Sequence, residues 1–290
     1  MPDNIAPMVA LNDKRIAVPA EAAPVQAVIG RPNSPLMGAA DGKARRVSSA
    51  VMGEQVAVYG QQGDFSLIRH SHDHYVGLAK TTDLRPLPEQ ELTHWVCAPM
   101  AYAFSEPDLK SAPKTTLFLG SRLIITEREN GYNYIEGVGW IVDTHVLPLG
   151  DYLSDPADVA FNLMGSPYLW GGRDRFGIDC SGLTQIAYAA CGTRLPRDSD
   201  MQFAWSGVPI ENWSEPGALQ RGDLVFWRGH VGIMLDESML IHANGYAMSV
   251  AVEPLAQAIE RIAEKTEYGR PIGAKRIQFP DPQEPDWYRN

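Results

Sequence analysis

Three side chains stand out for the chemistry they can do together: Cys180, His230 and His242. Cys180 lies in Gly177-Ile178-Asp179-Cys180-Ser181-Gly182, directly ahead of the run from Leu183 to Gly192. In that run Leu183, Ile186, Ala187 and Ala190 follow the i, i+3, i+4, i+7 spacing of a buried helix face. Asp179 suits the N-cap and Gly192 the C-terminal stop, so Cys180 is expected in the first turn. Unpaired N–H groups and the helix dipole there favour a thiolate over a thiol. A free thiol, with a pKa of about 8.5, is mostly protonated at neutral pH, and a nucleophilic cysteine needs that help.

A nucleophile also needs a base. Gly222-Asp223-Leu224-Val225-Phe226-Trp227 reads as a turn and a strand. The runs His230–Leu235 and Met239–Ala243 follow, joined by Asp236-Glu237-Ser238. With those three residues as a hairpin loop, Leu235 pairs with Met239 and Gly232 lies opposite His242. His230 and His242 then share one face as diagonal neighbours, roughly 7–8 Å apart at the backbone, and Gly232 leaves room between them. A slip of one residue would separate them. In this register His230 is the candidate general base and His242 its orienter.

The remaining cysteines and histidines read as structural. Cys191 sits at the far end of the same helix, where the dipole opposes a thiolate, and Cys97 beside Trp95 reads as a small buried hydrophobe. An odd count of three cysteines argues against a disulfide framework, and neither C-x-x-C nor H-E-x-x-H occurs, so no zinc site is expected. His70, His72, His74, His94 and His145 read as hydrogen-bonded structural residues, the first three forming a weak metal candidate. No phosphate loop is present, because Gly171-Gly172 is followed by Arg173-Asp174. No cofactor is implied.

The elements that must position these residues follow from the whole chain. Its 290 residues suffice for two or three compact units. The net charge of −10, from 35 acidic and 25 basic side chains, disfavours nucleic acid and an anionic membrane surface as partners. No stretch approaches a membrane span and no secretory signal is apparent, so a soluble cytoplasmic protein is expected. Residues 1–40, rich in Pro and Ala, are expected as an N-terminal extension that wraps another unit or is partly disordered. Short apolar runs separated by turn residues then indicate antiparallel β structure. Gly53–Val58 matches Gly120–Ile125, and Phe65–Ile68 matches Tyr132–Ile135 at the same offset. Val76–Ala79 matches Val138–Ile141 at a shorter offset, so the first copy carries the longer loop. Two such copies suit two small barrels in tandem, over residues 41–92 and 93–150. After Pro148-Leu149-Gly150-Asp151 the helical period appears, and residues 151–290 read as α+β.

Six motifs in order carry a resemblance over about residues 155–275. They are Pro167–Gly172, Asp179–Gly182, Arg194–Ser199, Gly222–Phe226, Gly229–Gly232 and Ile241–Ala243. Together they look like the NlpC family of papain-like cell-wall peptidases. The β repeats resemble bacterial SH3-like domains, and this order of domains is similar to that of γ-D-glutamyl-diamino-acid endopeptidases (dipeptidyl-peptidase VI). The resemblance implies a multidomain chain with two SH3-like barrels ahead of a papain-like domain. It implies a catalytic triad of Cys180, His230 and His242, with Tyr168 and backbone N–H groups stabilising the oxyanion. It further implies cleavage between D-Glu and a diamino acid in peptidoglycan-derived peptides (muropeptides) with a free N-terminal L-Ala. Asp179, Ser181, Asp198 and Ser199 look like the positions that receive this substrate and its amine. Glu54 and Tyr75 of the first barrel are the candidates for closing the pocket. Leu78 and Ala79, where an aromatic is common, and the His72-Asp73-His74 loop depart from the family pattern. An exported wall hydrolase, a muropeptide-binding protein without turnover and an acyltransferase on the same fold are the alternative readings.

Overall fold

A computed structural model describes residues 13–18, 23–40 and 43–288. It divides into two compact units, Lys14–Tyr152 with Trp170–Arg175, and Leu153–Leu169 with the chain from Phe176 onward. The first unit is all β. Its first set of strands is β1 (Val25–Ile29), β2 (Asn33–Met37), β3 (Arg46–Val51), β4 (Gln55–Gln62), β5 (Phe65–His70), β6 (Val76–Lys80) and β7 (Leu84–Pro86). The second set is β8 (His94–Val96), β9 (Met100–Phe104), β10 (Pro113–Phe118), β11 (Arg122–Leu123) and β12 (Ile125–Glu129). It continues with β13 (Tyr132–Ile135), β14 (Gly139–Val142) and β15 (Val146–Pro148).

The internal repeat survives as repeated structure. Phe65–Ile68 and Tyr132–Ile135 are corresponding strands, and β6 and β14 are each followed by a 3₁₀ turn, Thr81–Asp83 and Asp143–His145. The matched glycines Gly53 and Gly120 both adopt positive φ, 78° and 88°. At Gly53 a Cβ would fall 1.9 Å from the Arg122 carbonyl oxygen, so no other residue fits without moving the backbone.

The expectation of two SH3-like barrels is corrected. The first set forms one seven-stranded sheet in the order β3-β2-β6-β5-β4-β1-β7, and the second splits into a five-stranded sheet and a three-stranded one. Closure requires a hydrogen-bond ladder between the outermost strands. Among the described residues β3 pairs with β2 and β7 with β1, which leaves two open edges. In the second copy the chain changes partner at Ile124, with β11 on β8 and β12 on β13. Within residues 1–40, expected as an extension, Val25–Ile29 and Asn33–Met37 form β1 and β2. Residues 1–12 and 19–22 of that stretch lie outside the described residues.

Each set has its own apolar core, Ile29, Leu36, Val56 and Ile68 in one and Val96, Leu117, Leu123 and Ile141 in the other. The β unit also holds a buried charged cluster. Glu54 accepts from the Val51 N–H at 2.8 Å and from both Arg173 nitrogens at 3.2 and 3.3 Å. Arg173 comes from the short strand β16 (Arg173–Asp174) and also donates to the Ser49 carbonyl at 2.8 Å. The His70 ring lies 3.1 Å from Glu54 and 3.3 Å from Asp73. Burial opposes the charge on Glu54, but Arg173 and His70 overrule it and hold the carboxyl far below the usual range. Burial likewise opposes the charge on His70, yet Glu54 and Asp73 raise it from 6.5 to about 9.

The second unit has the α+β form expected. It comprises α1 (Pro156–Asn162), β17 (Gly177–Ile178), α2 (Cys180–Ala190) and α3 (Ser199–Trp205). Then come β18 (Val208–Pro209), β19 (Leu224–Trp227), β20 (His230–Met234), β21 (Met239–Asn244) and β22 (Ser249–Pro254). Helix α4 (Leu255–Lys265) and β23 (Gly273–Arg276) complete it. The sheet is six-stranded and antiparallel, in the order β18-β23-β19-β20-β21-β22. One face of α4, through Leu255, Ala258 and Ile262, packs with Val225, Trp227, Met234 and Leu240 into the core of this unit.

The buried cluster of the β unit makes stability pH-dependent on the alkaline side. A histidine whose folded-state pKa is raised stabilises fully below its ordinary value of 6.5 and loses that contribution as pH rises through about 9. The melting temperature of the wild type is expected to fall across this window, and His70→Gln to abolish that fall. An identical pH dependence in the two proteins would contradict the assignment.

Candidate active site

Asp179 caps α2 as the sequence predicts, its Oδ1 accepting from the Gly182 N–H at 2.7 Å. The helix ends where expected, with the Gly192 N–H on the Ala189 carbonyl and the Thr193 N–H on that of Tyr188. It is buried on nearly every side, so its polar side chains must find partners. The Thr184 hydroxyl donates to Gln202 Oε1 at 2.7 Å, and the Gln185 amide to the Leu195 carbonyl at 3.0 Å.

Below the first turn lies a residue that the sequence reading quoted in a motif but gave no role. Arg197, 1 % exposed, reaches Asp179 Oδ1 at 3.0 Å and Oδ2 at 2.7 Å, and Ser181 Oγ at 3.0 Å. The planar guanidinium matches the carboxylate fork, and the third contact draws Ser181 into the same unit. Asp179 and Ser181 are thereby engaged in holding the turn that carries Cys180. Asp198 stands at the N-cap of α3 without capping it through its side chain, and Ser199 is the first residue of that helix.

The hairpin register is as expected. Ile233 pairs with Ile241 and Met234 with Leu240, which sets Gly232 opposite His242, and the Leu235 N–H donates to the Met239 carbonyl at 2.7 Å. The loop is tied by Asp236, whose Oδ1 accepts from the Ser238 and Met239 N–H groups. His230 Nε2 and His242 Nδ1 lie 2.8 Å apart. A Cβ on Gly232 would stand 3.1 Å from His242 Cβ and 2.7 Å from Leu240 Cδ1, so glycine keeps the space that the ring pair needs. His230 is held between Trp227, at 5.5 Å between centroids, and Tyr268, stacked at 6.3 Å with an interplanar angle of 3°.

Helix α2 packs against β20 and β21, and the Cys180 thiol is hydrogen-bonded by the backbone of Val231, next to His230, and of Ser181. Tyr168 bridges Ile178 in parallel, just ahead of Asp179 and Cys180. Burial pushes its hydroxyl pKa well up, as do the nearby Cys180 and Asp179, so it stays a hydrogen-bond donor. Cys191 is fully buried and Cys97 half-buried, with their thiols raised chiefly by burial.

One electrostatic expectation is changed. Burial, and then the Asp179 carboxylate, push the Cys180 thiol up to about 12, against the Val231 and Ser181 backbone groups and Arg197, which lower it. Burial, His242 and Arg261 push the His230 imidazole well below its ordinary value. Both shifts favour the uncharged forms, a thiol at Cys180 and a neutral imidazole at His230. A thiol and a neutral imidazole can together perform general-base chemistry, the proton leaving sulfur as it attacks.

The candidates Glu54 and Tyr75 belong to the β unit. Both are buried, and the Glu54 oxygens are taken by Val51, Arg173 and His70. Among the described residues no group of three or more His, Cys, Asp or Glu side chains is arranged to hold a metal.

The sequence reading also missed Glu253, Arg261 and Tyr268. Glu253 Oε1 lies 2.7 Å from His242 Nε2, and Arg261 is paired with the same carboxylate. The alternation Ser249-Val250-Ala251-Val252-Glu253 after the turn at Gly245 was the available signal, since Ala251 pairs with His242 and Glu253 shares its face.

Residues 165–262 match the NlpC/P60 family, and the chain carries an NlpC/P60-family, cysteine-peptidase-like domain. It is similar to the gamma-D-glutamyl-L-lysine dipeptidyl-peptidase of Bacillus subtilis, 26 % identical over 237 residues that cover 73 % of this chain and 77 % of that protein. It is 28 % identical over 171 residues to dipeptidyl-peptidase 6 of Lysinibacillus sphaericus, covering 53 % of this chain and 62 % of that one, less than two thirds of its length. The fold is shared with an NlpC/P60 family protein from Bacillus cereus, with a TM-score of 0.72 at 21 % identity, over 87 % of this chain and 99 % of that one. Residues 165–262 thus carry the cysteine-peptidase-like domain that these relatives share in name and fold.

The Asp179–Arg197 pair yields a stability prediction. Arg197→Met leaves a buried carboxylate uncompensated and is expected to lower the unfolding free energy by about 3–5 kcal/mol in urea titration. Arg197→Lys, which cannot form the fork, should recover only part of it. A loss below about 1 kcal/mol for Arg197→Met would contradict the role given to the pair.

Proposed function

We propose that the protein is a cysteine endopeptidase that hydrolyses the γ-D-glutamyl–diamino acid bond of peptidoglycan-derived peptides with a free N-terminal L-Ala. We place it in the cytoplasm, in the recycling of wall fragments. The observation that carries this reading is the hydrogen-bonded pair of His230 and His242, whose strand packs against the helix that opens with Cys180. The name of the Bacillus subtilis relative supports the class of bond.

In this reading Cys180 Sγ attacks the γ-carbonyl carbon of D-Glu while His230 takes the thiol proton. The proton then passes to the departing amine of the diamino acid, leaving a thioester on Cys180. Water, deprotonated by the same imidazole, hydrolyses the thioester and restores the thiol. His242 orients His230, and Tyr168 donates to the oxygen that gains charge, a contribution of a few kcal/mol in comparable sites. Asp198 and Ser199 receive the N-terminal amine, whereas Asp179 and Ser181 act from below by holding the first turn. The reading rests on the α+β unit, because the carboxylate of Glu54 is already engaged.

The test is mass spectrometry of the purified protein with L-Ala-γ-D-Glu-meso-diaminopimelate and its N-acetylated counterpart. Release of L-Ala-D-Glu from the free-amine peptide alone is expected. Cys180→Ala should cut turnover by on the order of 10⁴-fold or more, while Cys191→Ala retains it. Cleavage of both peptides would favour an exported wall hydrolase. Cleavage of neither, with binding or with transfer to an added amine, would replace peptidase by a binding protein or an acyltransferase.

A further inference from the structure

His242 lies between two partners. Its Nδ1 is 2.8 Å from His230 Nε2, and its Nε2 is 2.7 Å from Glu253 Oε1. The ring is fully buried and the Glu253 side chain is 21 % exposed. Glu253 sits near the end of β22, opposite Leu240 and one diagonal step from His242. Arg261, on α4, is hydrogen-bonded to Oε1 and lies 3.4 Å from Oε2. Its guanidinium also lies 4.6 Å from the centre of the Tyr246 ring. The apolar face of α4 fixes where Arg261 stands, through Ala258 and Ile262 in the core.

The direction of the hydrogen bonds follows from what each atom can do. An ionised carboxylate only accepts, so His242 must carry its proton on Nε2. Its Nδ1 is then an acceptor, and His230 must donate from Nε2. That leaves the lone pair of His230 on Nδ1, the ring nitrogen not used within the histidine pair. Burial opposes the charge on Glu253, but the contacts with His242 and Arg261 hold its pKa below the ordinary carboxylate value.

We propose that Glu253, held by Arg261, is a positioning residue that fixes the tautomers of both His242 and His230 and so leaves His230 Nδ1 free to accept the Cys180 proton. The inference rests on His230 being the base of the proposed reaction. Glu253 touches neither the thiol nor a substrate; it acts through His242. Second-shell carboxylates of this kind orient the ring and raise its basicity. The charged and titratable groups around Cys180, on the α2 side, are Asp179, Arg197 and Tyr168. Tyr268 lies on His230 and Arg261 comes from α4. All of them are unchanged in the variants below.

Two measurements on the full chain test this without any peptide substrate, so failure of the peptidase reading would not affect them. The first is long-range proton–nitrogen NMR of the ring nitrogens, assigned through His230→Gln and His242→Gln. The wild type is expected to show both rings as Nε2–H tautomers. Glu253→Gln, whose amide can donate as well as accept, is expected to shift them toward Nδ1–H. The second is the rate of Cys180 alkylation by iodoacetamide at about pH 7, read on the Cys180 peptide by mass spectrometry. It should fall on the order of 10- to 100-fold in Glu253→Gln and Glu253→Ala. Glu253→Asp should recover part of the rate. A role confined to anchoring α4 would lower the melting temperature without moving the tautomers. That result, an Nδ1–H tautomer of His230 in the wild type, or an alkylation rate within about twofold of wild type in Glu253→Gln, would overturn the proposal.

Discussion

One carboxylate, that of Asp179, meets two demands that would otherwise conflict. It caps the first turn of α2 through the Gly182 N–H, and it forms a two-point ion pair with Arg197. A buried carboxylate alone costs several kcal/mol, so the cap is tolerable at 6 % exposure only because the guanidinium is there. Arg197 then holds Ser181 as well. The residue between these two anchors is Cys180, whose backbone has little freedom left. Burial first, and then the same carboxylate, raise the Cys180 thiol pKa, so the group that fixes this turn also favours the thiol over the thiolate.

That consequence gives the facing sheet its task. A protonated thiol needs a base at its side, and the base must itself be neutral to accept a proton. In the proposed reaction the buried His230 ring meets this condition, its pKa pushed down by burial and by its neighbours His242 and Arg261. Its direction is set by the hairpin, whose three-residue loop is tied by Asp236 and whose Gly232 leaves the space between the rings. The apolar face of α4 acts at longer range by placing Arg261 on Glu253. Local turn chemistry, strand register and helix packing thus converge on the orientation of two imidazoles.

The site was largely legible in the sequence because each part was specified locally. Asp179 and Gly192 bracket the helix, and the short link between β20 and β21 permits one register with both histidines on the same face. Glu253 was harder to see because its meaning depends on a further strand pairing and on a helix that supplies Arg261. The dipole argument from helix position omits burial, the largest influence raising the Cys180 thiol pKa. In the β unit the repeat was visible through paired glycines and strands, but spacing specifies neighbouring strands and not closure. The open order β3-β2-β6-β5-β4-β1-β7 includes two strands from a Pro- and Ala-rich stretch whose period was obscured.

In the proposed reaction Cys180 must become covalently acylated. The most direct measurement is rapid acid quench of the enzyme during turnover of L-Ala-γ-D-Glu-meso-diaminopimelate, followed by peptide mapping with mass spectrometry. An L-Ala-D-Glu thioester is expected on the peptide containing Cys180, formed and lost on the time scale of turnover. Product release with the acyl group on another residue, or continued turnover by Cys180→Ala, would contradict it.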